Sequence, residues 1–197
     1  MSIHIPNILL AVPRNPVVAV GLPLALGFIS GKPTSDVAAS NWYAVRGIAV
    51  SYNFRKLIYP QQLKTPPGCP NREVFPFVWT LLYVAMGYAS HVAVKALDNT
   101  VLETNRDALN LGLALYYTQL GLNVLWPPIF FAKRKIGLAL VNSVVLTGTT
   151  WFMTKLLDRP TDAKATYFLL PYCAWLGYAT YLNAGIWWLN RSRSSRS

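Results

Sequence analysis

Charged residues are scarce in this sequence. They make up 13% of the 197 residues, against about 25% in typical soluble domains. Hydrophobic residues make up 53%, which excludes a disordered chain, because such chains are polar, and argues against a soluble enzyme. The few charges must lie outside the long apolar runs, so we expect an integral membrane protein.

Acidic residues and cysteines are rare as well. The seven Asp and Glu residues all fall outside the long apolar runs, so carboxylate proton relays, metal-dependent hydrolysis and glycosidase chemistry lack their usual residues. Cys69 and Cys173 are far apart in the sequence and belong to no Cys-x-x-Cys motif, which excludes a disulfide framework or a zinc site built on cysteine. We therefore predict no metal site and no required cofactor.

Long apolar stretches dominate what remains. A membrane-spanning helix needs about 20 mostly apolar residues, and five stretches are predicted to satisfy this: Ile8–Ser30, Val74–Val94, Ala108–Pro128, Ile136–Leu157 and Thr166–Asn190. No repeat or low-complexity linker divides the chain. The predicted fold is an all-α integral membrane protein, a five-transmembrane-helix bundle that forms a single domain over residues 1–197.

The basic residues are distributed unevenly between the predicted loops. Twelve of the 18 fall in the long loop 31–73, the loop between the third and fourth spans, and the C-terminus, together with only Asp36 and Glu73. The other side carries six basic and five acidic residues. Because positive residues mark the cytoplasmic side, we expect a cytosolic C-terminus and a cytosolic loop 31–73. A surface for anionic lipid is a compatible interpretation, and a nucleic-acid partner is not expected.

Part of the long loop has helical periodicity. Apolar residues recur at helical spacing between Asn41 and Leu63, opposite Arg46 and Arg55. This segment is predicted either as an interfacial helix on the membrane surface or as an irregular loop, and the sequence favours neither.

Aromatic and amide side chains share helical faces inside three spans. The faces are Trp79, Tyr83, Met86 and Ser90 in the second span, Tyr116, Gln119, Asn123 and Trp126 in the third, and Tyr172, Trp175, Ala179, Leu182, Asn183 and Ile186 in the fifth. Amides are costly in hydrocarbon, so we expect them to point inward. Two interpretations stay open: the amides hold helices together, or they line a cavity with the aromatic rings.

Three of these segments resemble motifs of one family. FPFVWTLLYVAMGYAS in the second span, YYTQLGLNVLWPPIFF at the third and PYCAWLGYATYLN in the fifth are similar to motifs of the translocator protein family. Its members are also called tryptophan-rich sensory proteins or peripheral-type benzodiazepine receptors. The resemblance runs in order from Gly21 to Asn190.

This resemblance implies a pocket and its ligands. Members form five-helix bundles, commonly homodimers, and bind tetrapyrroles such as protoporphyrin IX and haem, as well as sterols and synthetic benzodiazepine-type ligands. Carried over position by position, the implied ligand-binding residues are Gly27, Gly31, Trp79, Tyr83, Asn123, Trp126, Leu138, Trp175, Ala179, Leu182 and Asn183. Membrane lipids are further expected partners. For sterols the sequence departs from animal members, with Ala184 and Trp188 where their sterol segment has Tyr and a basic residue.

The resemblance leaves three classes of function open. The first is a non-enzymatic protein that binds tetrapyrroles for transport, scavenging or sensing. The second is light-dependent porphyrin breakdown, for which Trp79 and Trp175 are the catalytic candidates; the third is a membrane scaffold. By analogy with eukaryotic relatives we expect the mitochondrial outer membrane, with a secretory-pathway membrane or a bacterial envelope as alternatives.

Overall fold

The computed structural model describes residues 5–38, 63–71 and 74–194, and over these residues it contains helices and no strand. The described helices are α1 Asn7–Arg14, α2 Pro16–Ala38, α3 Val74–Asn99, α4 Glu103–Pro127, α5 Ile136–Asp158 and α6 Lys164–Ser194. A π-helical turn, Pro128–Ala132, continues α4, and a 3₁₀ turn, Arg159–Thr161, follows α5. The all-helical prediction is confirmed. The periodic segment 41–63 lies outside the described residues, except for Leu63.

The predicted first span is two helices rather than one. Asn7–Arg14 and Pro16–Gly31 meet at an angle of 102°, and the local sequence explains the break. The Oδ1 atom of Asn15 accepts hydrogen bonds from the backbone N–H groups of Val17, at 2.9 Å, and Val18, at 3.3 Å, as a helix N-cap does. Pro16 occupies the first helical position, where its missing N–H costs nothing.

The helices that follow α1 pack as an antiparallel bundle. α3 packs against α2 and α6, and α5 packs between α4 and α6. Small residues allow close approach, since a Cβ atom at Gly87 would lie 2.7 Å from the Cα atom of Val20. The larger of two hydrophobic clusters runs through the bundle, with Met86, Leu113 and Met153 completely buried, and the smaller one surrounds Phe130.

Helix α1 lies across one end of this bundle. The hydroxyl of Tyr117 donates to the Leu9 carbonyl at 2.5 Å, and the Nδ1 atom of His91 lies 2.7 Å from the carbonyl of Pro13. The guanidinium of Arg14 donates to both carboxylate oxygens of Asp98, at 2.8 and 3.0 Å. We call this end of the bundle the capped end. The connections α3–α4 and α5–α6 lie there too, because consecutive helices run antiparallel.

At the opposite end the described charged side chains are all basic, and we call it the basic end. The turn between α4 and α5 and the end of α6 meet there, with the Trp187 indole beside Gly137. Segment 63–71, which we call the strap, runs along α6 at the same end. The described charged side chains of this end are Lys64, Lys133, Arg134, Lys135 and Arg191.

Two helices of the described residues are long and apolar enough to cross a membrane, Val74–Asn99 and Ile136–Thr161. The bent pair at the N-terminus would make a third if it forms one span. The structure thus supports a membrane protein with two or three candidate spans, and the predicted count of five is not confirmed. The polar residues of α4 and α6 lower their hydropathy, and the same residues build the site described next.

Candidate ligand-binding site

A chain of hydrogen bonds crosses the interior of the bundle from α3 to α4 and α6. The hydroxyl of Tyr83 donates to Asn123 Oδ1 at 2.8 Å, and Asn123 Nδ2 donates to the hydroxyl of Tyr172 at 3.0 Å. That hydroxyl donates in turn to Gln119 Oε1 at 2.8 Å, and Gln119 Nε2 lies 3.7 Å from the Sδ atom of Met86. Because each polar atom in apolar surroundings needs a partner, the chain explains how these amides are accommodated.

A second polar pair lies nearer the basic end. The indole N–H of Trp126 donates to Asn183 Oδ1 at 3.0 Å, and Asn183 Nδ2 donates to the carbonyl of Ile136 at 3.2 Å. The Trp126 ring stacks on Phe130 with ring centroids 4.8 Å apart. The π-helical turn, which begins at Pro128, therefore brings Phe130 onto the end of α4, and this fixes the Trp126 side chain at the junction of α4, α5 and α6.

Aromatic rings form a wall beside the first chain. Trp79 lies 5.5 Å from Tyr83 and 6.3 Å from Tyr172, measured between ring centroids. Trp175 makes edge or tilted contacts with Phe75 at 5.8 Å and with Tyr178 at 5.5 Å. Such rings offer a large apolar surface together with a few polar atoms.

The indole N–H of Trp175 is buried and has no hydrogen-bond partner in the structure. A buried donor without an acceptor costs about 1–3 kcal/mol. The same side chain lines a groove of about 410 Å³ between α3 and α6, with Val78 and Leu81 on one wall and Pro171 and Tyr178 on the other. Trp175 is therefore a predicted site residue with a buried donor that has no partner, beside a space of ligand size.

Glycines of α2 differ in what surrounds them. A Cβ atom at Gly27 would overlap the ring of Tyr83, whereas nothing lies within 4 Å of the corresponding position at Gly31. The absent side chain at Gly27 lets α2 close over Tyr83. Gly31 faces open space in this arrangement.

The structure brings most of the predicted residues together in two groups. Gly27, Trp79, Tyr83 and Asn123 gather at the first chain, and Trp126 and Asn183 form the second pair. Leu182 is buried on α6 and Ala179 is half-buried. Leu138 differs, because 51% of its surface is exposed on α5, which places it on the outside of the bundle. Its role in ligand binding stays a prediction, as does that of the other residues.

Three members of the chain, Gln119, Tyr172 and Met86, are not among the predicted ligand-binding residues. Gln119 and Tyr172 lie on the predicted helical faces for which helix contact and cavity lining are both open interpretations, and Gln119 stands one helical turn from Asn123. The sequence signal for this chain is the pair of amides at i and i+4 in an apolar helix. Both point to the same side of the helix, and both need a polar partner there. Among the described residues no three His, Cys, Asp or Glu side chains come close enough to hold a metal ion.

Comparison with known proteins gives consistent matches over almost the whole chain. The model of the TspO/MBR family matches residues 19–189. A translocator protein homolog of Schizosaccharomyces pombe is 38% identical over 160 residues, covering 77% of this chain and 93% of the relative. The translocator protein of Bos taurus is 33% identical over 186 residues, or 94% and 96% of the two chains. The tryptophan-rich protein TspO of Chlorobaculum tepidum is 31% identical over 174 residues, or 87% and 92%.

Proposed function

The chain belongs to the TspO/MBR family of membrane proteins, and from this premise we propose that it binds tetrapyrroles such as protoporphyrin IX and haem within the membrane. It would act in their transport, scavenging or sensing. The single observation that carries the proposal is the meeting of Trp79, Tyr83, Asn123 and Tyr172 from three helices. A flat, largely apolar macrocycle requires aromatic walls with few polar contacts, and this group offers both.

The polar atoms of the site suggest how such a ligand is oriented. Asn123 and Tyr172 are occupied by each other and by Tyr83 and Gln119, so in this arrangement they shape the site. Trp175 supplies the free N–H donor. A carbonyl or carboxylate oxygen at the edge of the macrocycle is the acceptor that this donor requires. We therefore propose that aromatic contact supplies most of the affinity and that Trp175 fixes the orientation.

A titration of the purified chain with protoporphyrin IX in darkness tests the proposal. We expect a saturable spectral shift that weakens in Trp79→Phe and Trp175→Phe. Trp151→Phe is the matched control, because Trp151 is 52% exposed on the outer face of α5. Absence of saturable binding by the wild-type chain would contradict the proposal and favour a membrane scaffold. The same samples are then illuminated. If porphyrin is lost with the wild-type chain but not with a Trp variant of unchanged affinity, light-dependent breakdown is favoured instead.

We further propose that α2 to α6 each cross the membrane, with the basic end in the cytosol, as the excess of basic residues at that end favours. Cys69 of the strap reports this orientation. A membrane-impermeant thiol reagent is expected to modify Cys69 from the cytosolic side of sealed vesicles, and reaction only from the other side would reverse the orientation. The mitochondrial outer membrane and a homodimeric state are also proposed, by analogy with the family. Organelle fractionation and cross-linking in the membrane test them.

A further inference from the structure

A second groove lies on the outer surface at the basic end, away from the interior hydrogen-bond chain. It has a volume of about 430 Å³, within the range of small-molecule sites, and is lined by the strap, by α6 and by the first turns of α5. Its lining includes Pro66, Pro67, Leu140, Ala184, Trp187 and Trp188. The walls are almost entirely carbon, so the complementary occupant has an apolar chain.

The strap is fixed to α6 by side-chain hydrogen bonds, which makes the groove a built feature. The amide of Asn190 accepts from the backbone N–H of Lys64 at 3.0 Å and donates to the Lys64 carbonyl at 2.9 Å. The hydroxyl of Tyr181 donates to the carbonyl of Pro67 at 3.2 Å. At Gly185 a Cβ atom would lie 2.6 Å from the Cβ atom of Pro66, so glycine is required for this approach.

A positively charged side chain, Arg191, lies beside the groove. The guanidinium of Arg191 lies 3.6 Å from the ring centroid of Trp188, which is one of the lining residues. Lys64, Lys133 and Lys135 belong to the same end of the bundle. The acidic side chains that the structure describes are all at the capped end: Asp98, Glu103, Asp107, Asp158 and Asp162. In the sequence Asp36 and Glu73 are the acidic residues of the basic side, and their side chains lie outside the described ones.

We propose that this groove binds an anionic glycerophospholipid, with one acyl chain lying along the groove against the strap and α6 and the phosphate beside Arg191. Tryptophan side chains are typical of the depth at which lipid head groups begin, and Trp187 and Trp188 are 39% and 58% exposed there. A guanidinium held over an indole ring keeps its N–H donors in its plane for the phosphate oxygens. The groove shares no residue with the proposed tetrapyrrole site, so this proposal stands independently of that function.

Lipid retention by the full-length chain provides the test. The protein is reconstituted in bilayers of equal phosphatidylglycerol and phosphatidylcholine, extracted in mild detergent, and the retained lipids are quantified by mass spectrometry. We expect phosphatidylglycerol to be enriched, and the enrichment to fall about fivefold in Arg191→Gln, since one basic residue near a membrane surface contributes an attraction of that order. Arg191→Lys should preserve part of the enrichment because the charge remains. Lys155→Gln, an exposed basic residue nearer the capped end, should leave the enrichment unchanged.

A second variant tests the apolar wall. Ala184→Phe fills the groove and should lower retention of the lipid, whereas Gly177→Phe on the same helix faces open space and should not. Thermal transitions of all variants show that they remain folded. Equal retention of both lipids by the wild-type chain would overturn the proposal. So would unchanged enrichment in Arg191→Gln or displacement of the lipid by cholesterol. Displacement by glycerol phosphate alone would overturn the role of the acyl chain.

Discussion

The hydroxyl group of Tyr172 lies 3.0 Å from Asn123 Nδ2 and accepts its hydrogen bond, in the middle of the bundle. This one contact sets the direction of the whole interior chain. Asn123 presents its carbonyl oxygen to Tyr83, and the Tyr172 proton is left for Gln119. The chain thus joins the three helices through one polar side chain of α3, two of α4 and one of α6.

Tyr172→Phe should destabilise the protein through this chain. The variant leaves Asn123 Nδ2 and Gln119 Oε1 without partners in a buried site, where each unpaired group costs about 1–3 kcal/mol. Thermal unfolding in detergent, followed by tryptophan fluorescence, measures the loss. Tyr167→Phe on the same helix is the control, since Tyr167 is 73% exposed. Equal transition temperatures for the two variants would show that the chain does not contribute to stability.

Gly87→Ala and Gly148→Ala should have opposite effects. A Cβ atom at Gly87 would lie 2.7 Å from the Cα atom of Val20, in backbone that cannot move without separating α2 from α3. At Gly148 nothing lies within 4 Å, so alanine adds only helix propensity, about 1 kcal/mol. We expect lower thermal stability for the first variant and equal or higher stability for the second. A Gly87→Ala protein as stable as wild type would contradict the close packing of α2 on α3.

The cap formed by α1 should depend on its apolar side chains more than on its ion pair. Leu10 belongs to the buried core, and Leu10→Ala should cost about 2–5 kcal/mol. Arg14 and Asp98 are 46% and 42% exposed, and such surface ion pairs contribute little. Arg14→Ala should therefore change the thermal transition only slightly. Denaturant titration of both variants measures the two losses of stability. A larger loss in Arg14→Ala would show that the ion pair holds the cap more strongly than the apolar side chain does.

Several features of the fold were readable from the sequence because they depend on local pattern. The predicted starts at Val74 and Ile136 coincide with the observed ones, and the inward orientation of Gln119 and Asn123 follows from the cost of amides in hydrocarbon. The break at Asn15 is only partly visible in the sequence: Arg14, Asn15 and Pro16 complicate the start of the first predicted span, but the apolar run continues across them and predicts one helix. The partner of Asn123 could not be predicted, since Tyr172 comes from another helix and only the packing of α4 on α6 selects it.

The strap could not be predicted either, and its contacts lead to a last prediction, on Cys69. Burial beside α6 raises the pKa of this thiol above its ordinary value of 9.0. The thiolate is the form that reacts, so a raised pKa lowers the labelling rate near neutral pH. The rate should keep rising above pH 9, where the labelling of an ordinary exposed thiol approaches its plateau.

The hydroxyl of Tyr178 donates to the Gly68 carbonyl at 2.6 Å, next to Cys69. Tyr178→Phe combined with Tyr181→Phe should loosen the strap around Cys69, while Asn190 still holds it at Lys64.

In a Cys173→Ala background, which removes the other cysteine, these two changes should increase the labelling rate of Cys69 several-fold at pH 7.5. They should also move the pH midpoint of labelling downward. A stopped-flow assay with a maleimide dye over a pH series measures both quantities, and Tyr167→Phe serves as the control. If the strap loosens around Cys69, the labelling rate and the pH midpoint change together, because both reflect exposure of the thiol to water. An increase in rate with an unchanged midpoint would mean that the hydroxyls restrict access of the reagent without desolvating the thiol.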